Sequence, residues 1–156
     1  MGERMDRPPS ISRFEQLWWG SLAFWSIGTW LGWERTTNAL NADRRTAEVA
    51  GLALWGNVAL TLFVTLLFWW LAARRGSIVG KWLVIAAAAW SAVRALILVM
   101  GLLGQRAFHP LSQTSLFLSA ALTIASAVVL FRPDALMWFG EVGGTDEKGD
   151  EREEAA

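Results

Sequence analysis

Long apolar runs alternate with short polar segments along this sequence. Four runs, about residues 14–33, 49–73, 79–103 and 111–131, are long enough to cross a bilayer as α-helices. Short links such as the one after the second run make successive helices antiparallel neighbours. We therefore predict an all-α integral membrane fold, an up-down-up-down four-helix bundle over residues 14–139.

The segments outside the runs are polar. Residues 1–13 are predicted to be a cytoplasmic N-terminal segment, with Ser12 and Glu15 forming a capping box at the start of the first helix. Residues 134–139 form a short amphipathic piece, predicted to place its apolar residues 136–139 at the lipid interface. Residues 140–156 contain almost nothing apolar, which predicts a disordered acidic tail.

The composition supports the membrane prediction and excludes several kinds of site. The 156 residues are 54% hydrophobic and 18% charged, against roughly 25% charged in soluble domains. The sequence has no cysteine and one histidine, His109, so it offers no disulfide, thiolate metal site, Fe–S cluster or multi-histidine site. No metal or cofactor is predicted. His109 lies in a turn, where exposure is a simpler interpretation than proton handling.

The basic residues predict the orientation. Of the basic residues that flank the runs, seven lie on the side of the termini and four on the other side, and the positive-inside rule then puts both termini in the cytoplasm. Basic residues beside apolar spans are expected at an anionic leaflet, so no nucleic-acid partner is predicted. The eleven tryptophans favour an interfacial aromatic belt over the alternative of a Trp-lined pocket.

Arg94 is the main candidate for a functional site because it lies inside the third span. A charge at bilayer depth costs roughly 2.5–3.5 kcal/mol or more, so intramembrane charges suggest function. Trp90, one turn earlier, is predicted to form a cation–π contact with it. Antiparallel threading puts Asn57 and Ser119 at a similar depth, which predicts a polar layer of Asn57, Arg94 and Ser119. A snorkelling, purely structural Arg94 is an equally weighted alternative.

The remaining polar features indicate packing more than chemistry. Hydroxyl residues recur at helical spacing in the second and fourth runs, as expected for helix contacts in membranes. Gly28 and Gly32 form a GxxxG pattern, which is weak evidence for dimerisation. No paired intramembrane carboxylates or catalytic motif occurs, so we predict that the protein is not an enzyme.

Three boundary motifs carry a resemblance to a protein family. These are Arg7-Pro8-Pro9-Ser10-Ile11, Ala72-Ala73-Arg74-Arg75-Gly76-Ser77 and Leu130-Phe131-Arg132-Pro133-Asp134-Ala135. Together they resemble uncharacterised four-span proteins of proteobacterial inner membranes, and the resemblance covers most of the chain. It implies the four-span fold and no particular activity.

Two functions are consistent with the sequence. The first is a non-enzymatic accessory or scaffold protein that acts through lateral helix contacts, with the bilayer and a membrane subunit or second copy as partners. The alternative is binding or transport of an anionic or amphipathic small molecule at the Asn57, Arg94 and Ser119 layer, beside Trp90.

Overall fold

A computed structural model of the protein describes residues 8–42, 47–103 and 110–141. Its helices are α1 (Pro9–Asn41), α2 (Ala50–Trp69), α3 (Ile78–Leu103), α4 (Pro110–Val129) and α5 (Pro133–Trp138), with a π-helical segment, Trp70–Arg74, continuing α2. The described residues contain no strand, which confirms the all-α prediction. His109 and the tail beyond Glu141 lie outside the described residues.

Three stretches are long and apolar enough to cross a membrane: Ala50–Arg74, Ile78–Gly101 and Pro110–Val129. These agree with three of the four predicted spans to within a few residues. Helix α1 does not reach the same hydropathy, because its apolar residues are interleaved with Trp, Gly, Ser and Thr and it carries charges near both ends. The fold is that of a helical membrane protein.

Helix α1 is longer than predicted at both ends. It begins at Pro9 and ends at Asn41, so its 33 residues extend about 50 Å. Proline suits the first helical position because its missing N–H would have no partner there. The capping box at Ser12 is therefore wrong, and the N-cap residue, Pro8, makes no side-chain capping bond. Ser10 and Ile11, predicted to lie in a loop, are buried.

Helix α1 packs along α4 in antiparallel fashion through its glycines. A Cβ at Gly20 would lie 3.4 Å from Leu122, and one at Gly28 would lie 3.0 Å from Leu116. The Ser112 hydroxyl donates a 2.9 Å hydrogen bond to the Gly28 carbonyl oxygen. The GxxxG glycines thus contact a helix of the same chain.

The apolar core is concentrated at the end of the molecule that carries the turn between α2 and α3. Its fully buried members include Ile11, Phe14, Val84 and Leu130. Phe139 also packs here and is 4% exposed, so the interfacial position predicted for it is wrong. Its burial follows from α5 folding back over the core after α4.

The turn between α2 and α3 requires glycine at two positions. Gly76 has φ of 55°, and a Cβ there would lie 2.9 Å from the carbonyl oxygen of Trp138. A Cβ at Gly80 would lie 2.7 Å from the backbone nitrogen of Ala72. The start of α3 therefore packs closely on the π-helical segment, which fixes α3 beside the end of α2.

Helix α2 is largely left unburied by the other helices. Ala50 is its only buried residue among those described. It contacts α1 through the Trp33 and Trp55 rings, whose centroids are 5.1 Å apart. The low burial of α2 leaves open space between the helices.

Candidate functional site

Two cavities of about 520 and 310 Å³ lie among α1, α2, α3 and α4. Both are lined by Trp25, Thr61, Trp90 and Arg94. Cavities of this size fall in the range of small-molecule sites, which combine aromatic walls with a few polar groups. The two cavities form the candidate site, which we call the Arg94 cavity.

Arg94 reaches this cavity from the interior of α3, nine residues before Leu103. At about 1.5 Å per residue it lies roughly 14 Å from the helix end. Within the described residues its guanidinium makes no hydrogen bond and no ion pair. Arginine carries five N–H donors and remains charged, so a site with this side chain can bind a carboxylate or a phosphate.

Asn57 and Ser119 lie on different sides of Arg94. Asn57 lines the 520 Å³ part together with Arg94, whereas Ser119 lines the 310 Å³ part and a small adjoining pocket of about 30 Å³, again with Arg94. None of these three spaces is lined by both. Neither polar side chain makes a hydrogen bond to another described residue. Of the three residues predicted to form one polar layer, Arg94 is thus the one that lines both cavities.

Trp90 lines the same two cavities but does not stack on Arg94. The predicted cation–π contact between Trp90 and Arg94 is therefore wrong. The cationic groups that lie over rings in the described part of the chain are Arg74, Arg75 and Lys81.

Trp25 was not among the predicted site residues, although it lines every part of the Arg94 cavity. The signal was present in the sequence: Trp25 lies inside a span, four residues after Ser21 and three before Gly28. Assigning the tryptophans to an interfacial belt outweighed it. Trp18, also assigned to the belt, is 3% exposed and donates to the Thr65 carbonyl oxygen at 3.2 Å.

Several hydroxyl groups near the cavity are already used by their own helices. Ser115 donates to the carbonyl oxygen of Leu111 at 3.0 Å, and Thr123 donates to that of Ser119 at 2.9 Å. Each of these hydroxyl groups donates its hydrogen to a backbone carbonyl oxygen one turn earlier on α4, so it has no donor left for a ligand. The polar capacity of the cavity therefore comes mainly from Arg94, Asn57 and Ser119.

A second charged site lies at the packed end and has a different character. Lys81 is 2% exposed, and its Nζ donates a 2.6 Å hydrogen bond to Glu141 while lying 4.9 Å from the centre of the Phe131 ring. Its charge is paired and its surroundings are filled. This arrangement stabilises the fold and leaves no space for a ligand.

The described residues contain no group of three His, Asp or Glu side chains that would hold a metal ion. Comparison with protein-family models, curated proteins and solved structures gives no match. The fold and the cavity define a helical membrane protein in which an exposed arginine, paired with no described residue, lines open space between the helices.

Proposed function

We propose that this chain is a four-span bacterial inner-membrane protein that binds an anionic or amphipathic small molecule in the Arg94 cavity. The observation that carries the proposal is the guanidinium of Arg94, which pairs with no described residue and lines every part of a cavity between four helices. Asn57 and Ser119 supply further polar groups, and Trp25 and Trp90 supply aromatic walls.

The antiparallel contact of α1 with α4 supports a fourth span. Gly20 lies beside Leu122 and Gly28 beside Leu116, so the two helices share the same range of depths. If α4 crosses the bilayer, the middle of α1 must cross it too. Four crossings put both termini on one side, and the Lys and Arg distribution assigns that side to the cytoplasm.

The energetics favour a bound anion. An unpaired charge within the membrane is costly, and α3 carries no acidic residue that would offset it. A carboxylate or phosphate would form charge-assisted hydrogen bonds with Arg94, which are stronger than neutral ones. Low surrounding polarity strengthens that attraction. A ligand of this class therefore supplies the counter-charge that none of the described residues provides.

An accessory role through lateral helix contacts is the second candidate. A Cβ added at Gly51 or Gly56 of α2 would meet no atom within 4 Å. Small residues on an open helix face allow close approach of another helix in a membrane. A stoichiometric subunit that co-purifies with the protein would favour this role.

Native mass spectrometry of protein extracted gently from its own membranes tests the proposal. We expect a retained small mass in the wild type that is lost in Arg94→Leu and kept in Arg75→Leu, the matched control at the exposed turn. A wild-type protein that retains no small mass, or an Arg94→Leu variant that retains it, contradicts binding at Arg94.

A further inference from the structure

An apolar groove of about 310 Å³ lies between α1 and α2, beside the Arg94 cavity. Its walls are four indole rings, those of Trp25, Trp30, Trp33 and Trp55, together with a few aliphatic and hydroxyl side chains. No charged side chain lines it. The groove therefore offers a surface for hydrocarbon.

The groove and the cavity adjoin each other. Trp25, Thr29, Trp33 and Val58 line both the groove and the 520 Å³ part that contains Arg94. A molecule that occupied both would meet a guanidinium at one end and aromatic rings at the other. That change of polarity over a short distance matches a charged headgroup with a hydrocarbon chain.

The groove also faces outward between two helices. Trp30 is 81% exposed and Trp55 is 65% exposed, and in a bilayer such surfaces face lipid. Because α2 is scarcely buried, the α1–α2 gap is an open side of the cavity. The hydrocarbon tail of a ligand that leaves the cavity there enters the apolar part of the membrane without crossing a polar surface.

We propose that the ligand is a lipid-like oxyanion whose headgroup binds Arg94 and whose hydrocarbon chain lies in the Trp-lined groove between α1 and α2. This inference rests on the proposed function and adds the ligand class. Lipid is as apolar as the groove, so the chain gains little from burial itself. The gain comes from contact with the aromatic rings and from holding the headgroup in place.

Three probes separate headgroup from chain, with protein in phosphatidylcholine nanodiscs. Dodecyl phosphate has both features, inorganic phosphate lacks the chain, and dodecylphosphocholine has the same chain with a zwitterionic headgroup. We expect dodecyl phosphate to bind more tightly than either control, and Arg94→Gln to abolish its binding.

Tryptophan variants test whether the hydrocarbon chain of the ligand lies in the groove. Trp55→Ala should weaken dodecyl phosphate about three- to ten-fold, as expected for the loss of one aromatic contact, and leave inorganic phosphate unchanged. Trp82→Ala is the matched control, because Trp82 is 59% exposed on α3 and lines none of these spaces. Circular dichroism and elution volume establish that each variant is folded.

The outcomes distinguish the two proposals. Inorganic phosphate binding as tightly as dodecyl phosphate, or an unchanged dodecyl phosphate affinity in Trp55→Ala, would overturn the lipid-like ligand and leave anion binding intact. Dodecyl phosphate binding that survives Arg94→Gln would overturn the proposed function. An absence of binding by all three probes would overturn both.

Discussion

The hydroxyl of Ser112 on α4 donates a hydrogen bond to the carbonyl oxygen of Gly28 on α1, over a donor–acceptor distance of 2.9 Å. The bond forms where the absence of a side chain at Gly28 allows the two helices to approach. It links positions 84 residues apart in the sequence. This contact aligns α1 with a helix that is apolar enough to cross the membrane.

Gly28→Leu should therefore destabilise the protein. A Cβ at Gly28 would lie 3.0 Å from Leu116 and 3.1 Å from the Ser112 carbonyl oxygen, so a leucine must push the helices apart. We expect the free energy of unfolding to fall by about 1–3 kcal/mol, as for other overpacked sites. Gly51→Leu, where the space is open, is the control. Equal effects of the two substitutions in mixed-micelle unfolding would contradict the α1–α4 packing.

Gly76→Ala tests the turn between α2 and α3. Its φ of 55° costs a residue with a Cβ about 1–2 kcal/mol, and the Cβ would also press on the Trp138 carbonyl oxygen at 2.9 Å. Gly140→Ala has φ of 71° but no atom within 4 Å, so it carries only the backbone cost. We expect Gly76→Ala to lower the thermal midpoint more than Gly140→Ala. The reverse order would show that this turn is packed differently.

The Lys81–Glu141 pair predicts that substitutions of its two residues have non-additive effects on the free energy of unfolding. Glu141→Gln leaves a buried ammonium without its charged partner and should cost about 1–3 kcal/mol of unfolding free energy, since Glu141 itself is 30% exposed. Adding Lys81→Met removes the unpaired charge and should recover much of that loss, because apolar replacements of buried ion pairs are often neutral. A double variant that is less stable than Glu141→Gln would argue against a paired, buried Lys81.

The environment of the Asp134 carboxyl group leads us to expect a loss of stability in acid. The nearby Ser10 hydroxyl, which makes no hydrogen bond in the structure, and the Ser10 backbone N–H, which donates to Asp134 Oδ2 at 3.1 Å, hold the pKa of Asp134 below its usual value, against the opposing effect of desolvation. A lowered pKa stabilises the fold above the usual carboxyl pKa, and this contribution is lost as the pH falls below about 4.

Asp134→Asn should accordingly flatten the pH dependence of unfolding in that range, with Ser10→Ala giving an intermediate slope. The measurement is the unfolding midpoint between about pH 3 and 6. A slope identical to that of the wild type in Asp134→Asn would rule out this contact between the start of α1 and α5.

The sequence predicted the helices well and their partners poorly, for identifiable reasons. Apolar run length determines where α2, α3 and α4 lie, since every backbone group must be satisfied within the membrane. The same pattern does not state which helix a glycine contacts. The GxxxG pattern of Gly28 and Gly32 is therefore only weak evidence for dimerisation, and in the structure both glycines lie against α4 of the same chain.

For the candidate site, too, the sequence predicts one property and leaves others open. Depth follows from counting residues along antiparallel helices, which is why Arg94 lines cavities with Asn57 on one side and Ser119 on the other. Side-chain direction and interhelix spacing do not follow from counting. The sequence therefore missed Trp25 and the low burial of α2, and it predicted a Trp90–Arg94 stacking contact that is not formed.

The most direct test of the central claim is the unfolding free energy of Arg94→Leu in ligand-free phosphatidylcholine. An arginine whose role is to bind an anion destabilises the ligand-free protein. We therefore predict that the Arg94→Leu variant is about 1–3 kcal/mol more stable than the wild type. A loss of about 1 kcal/mol or more would show that Arg94 holds the helices together, and would contradict a site kept for a ligand.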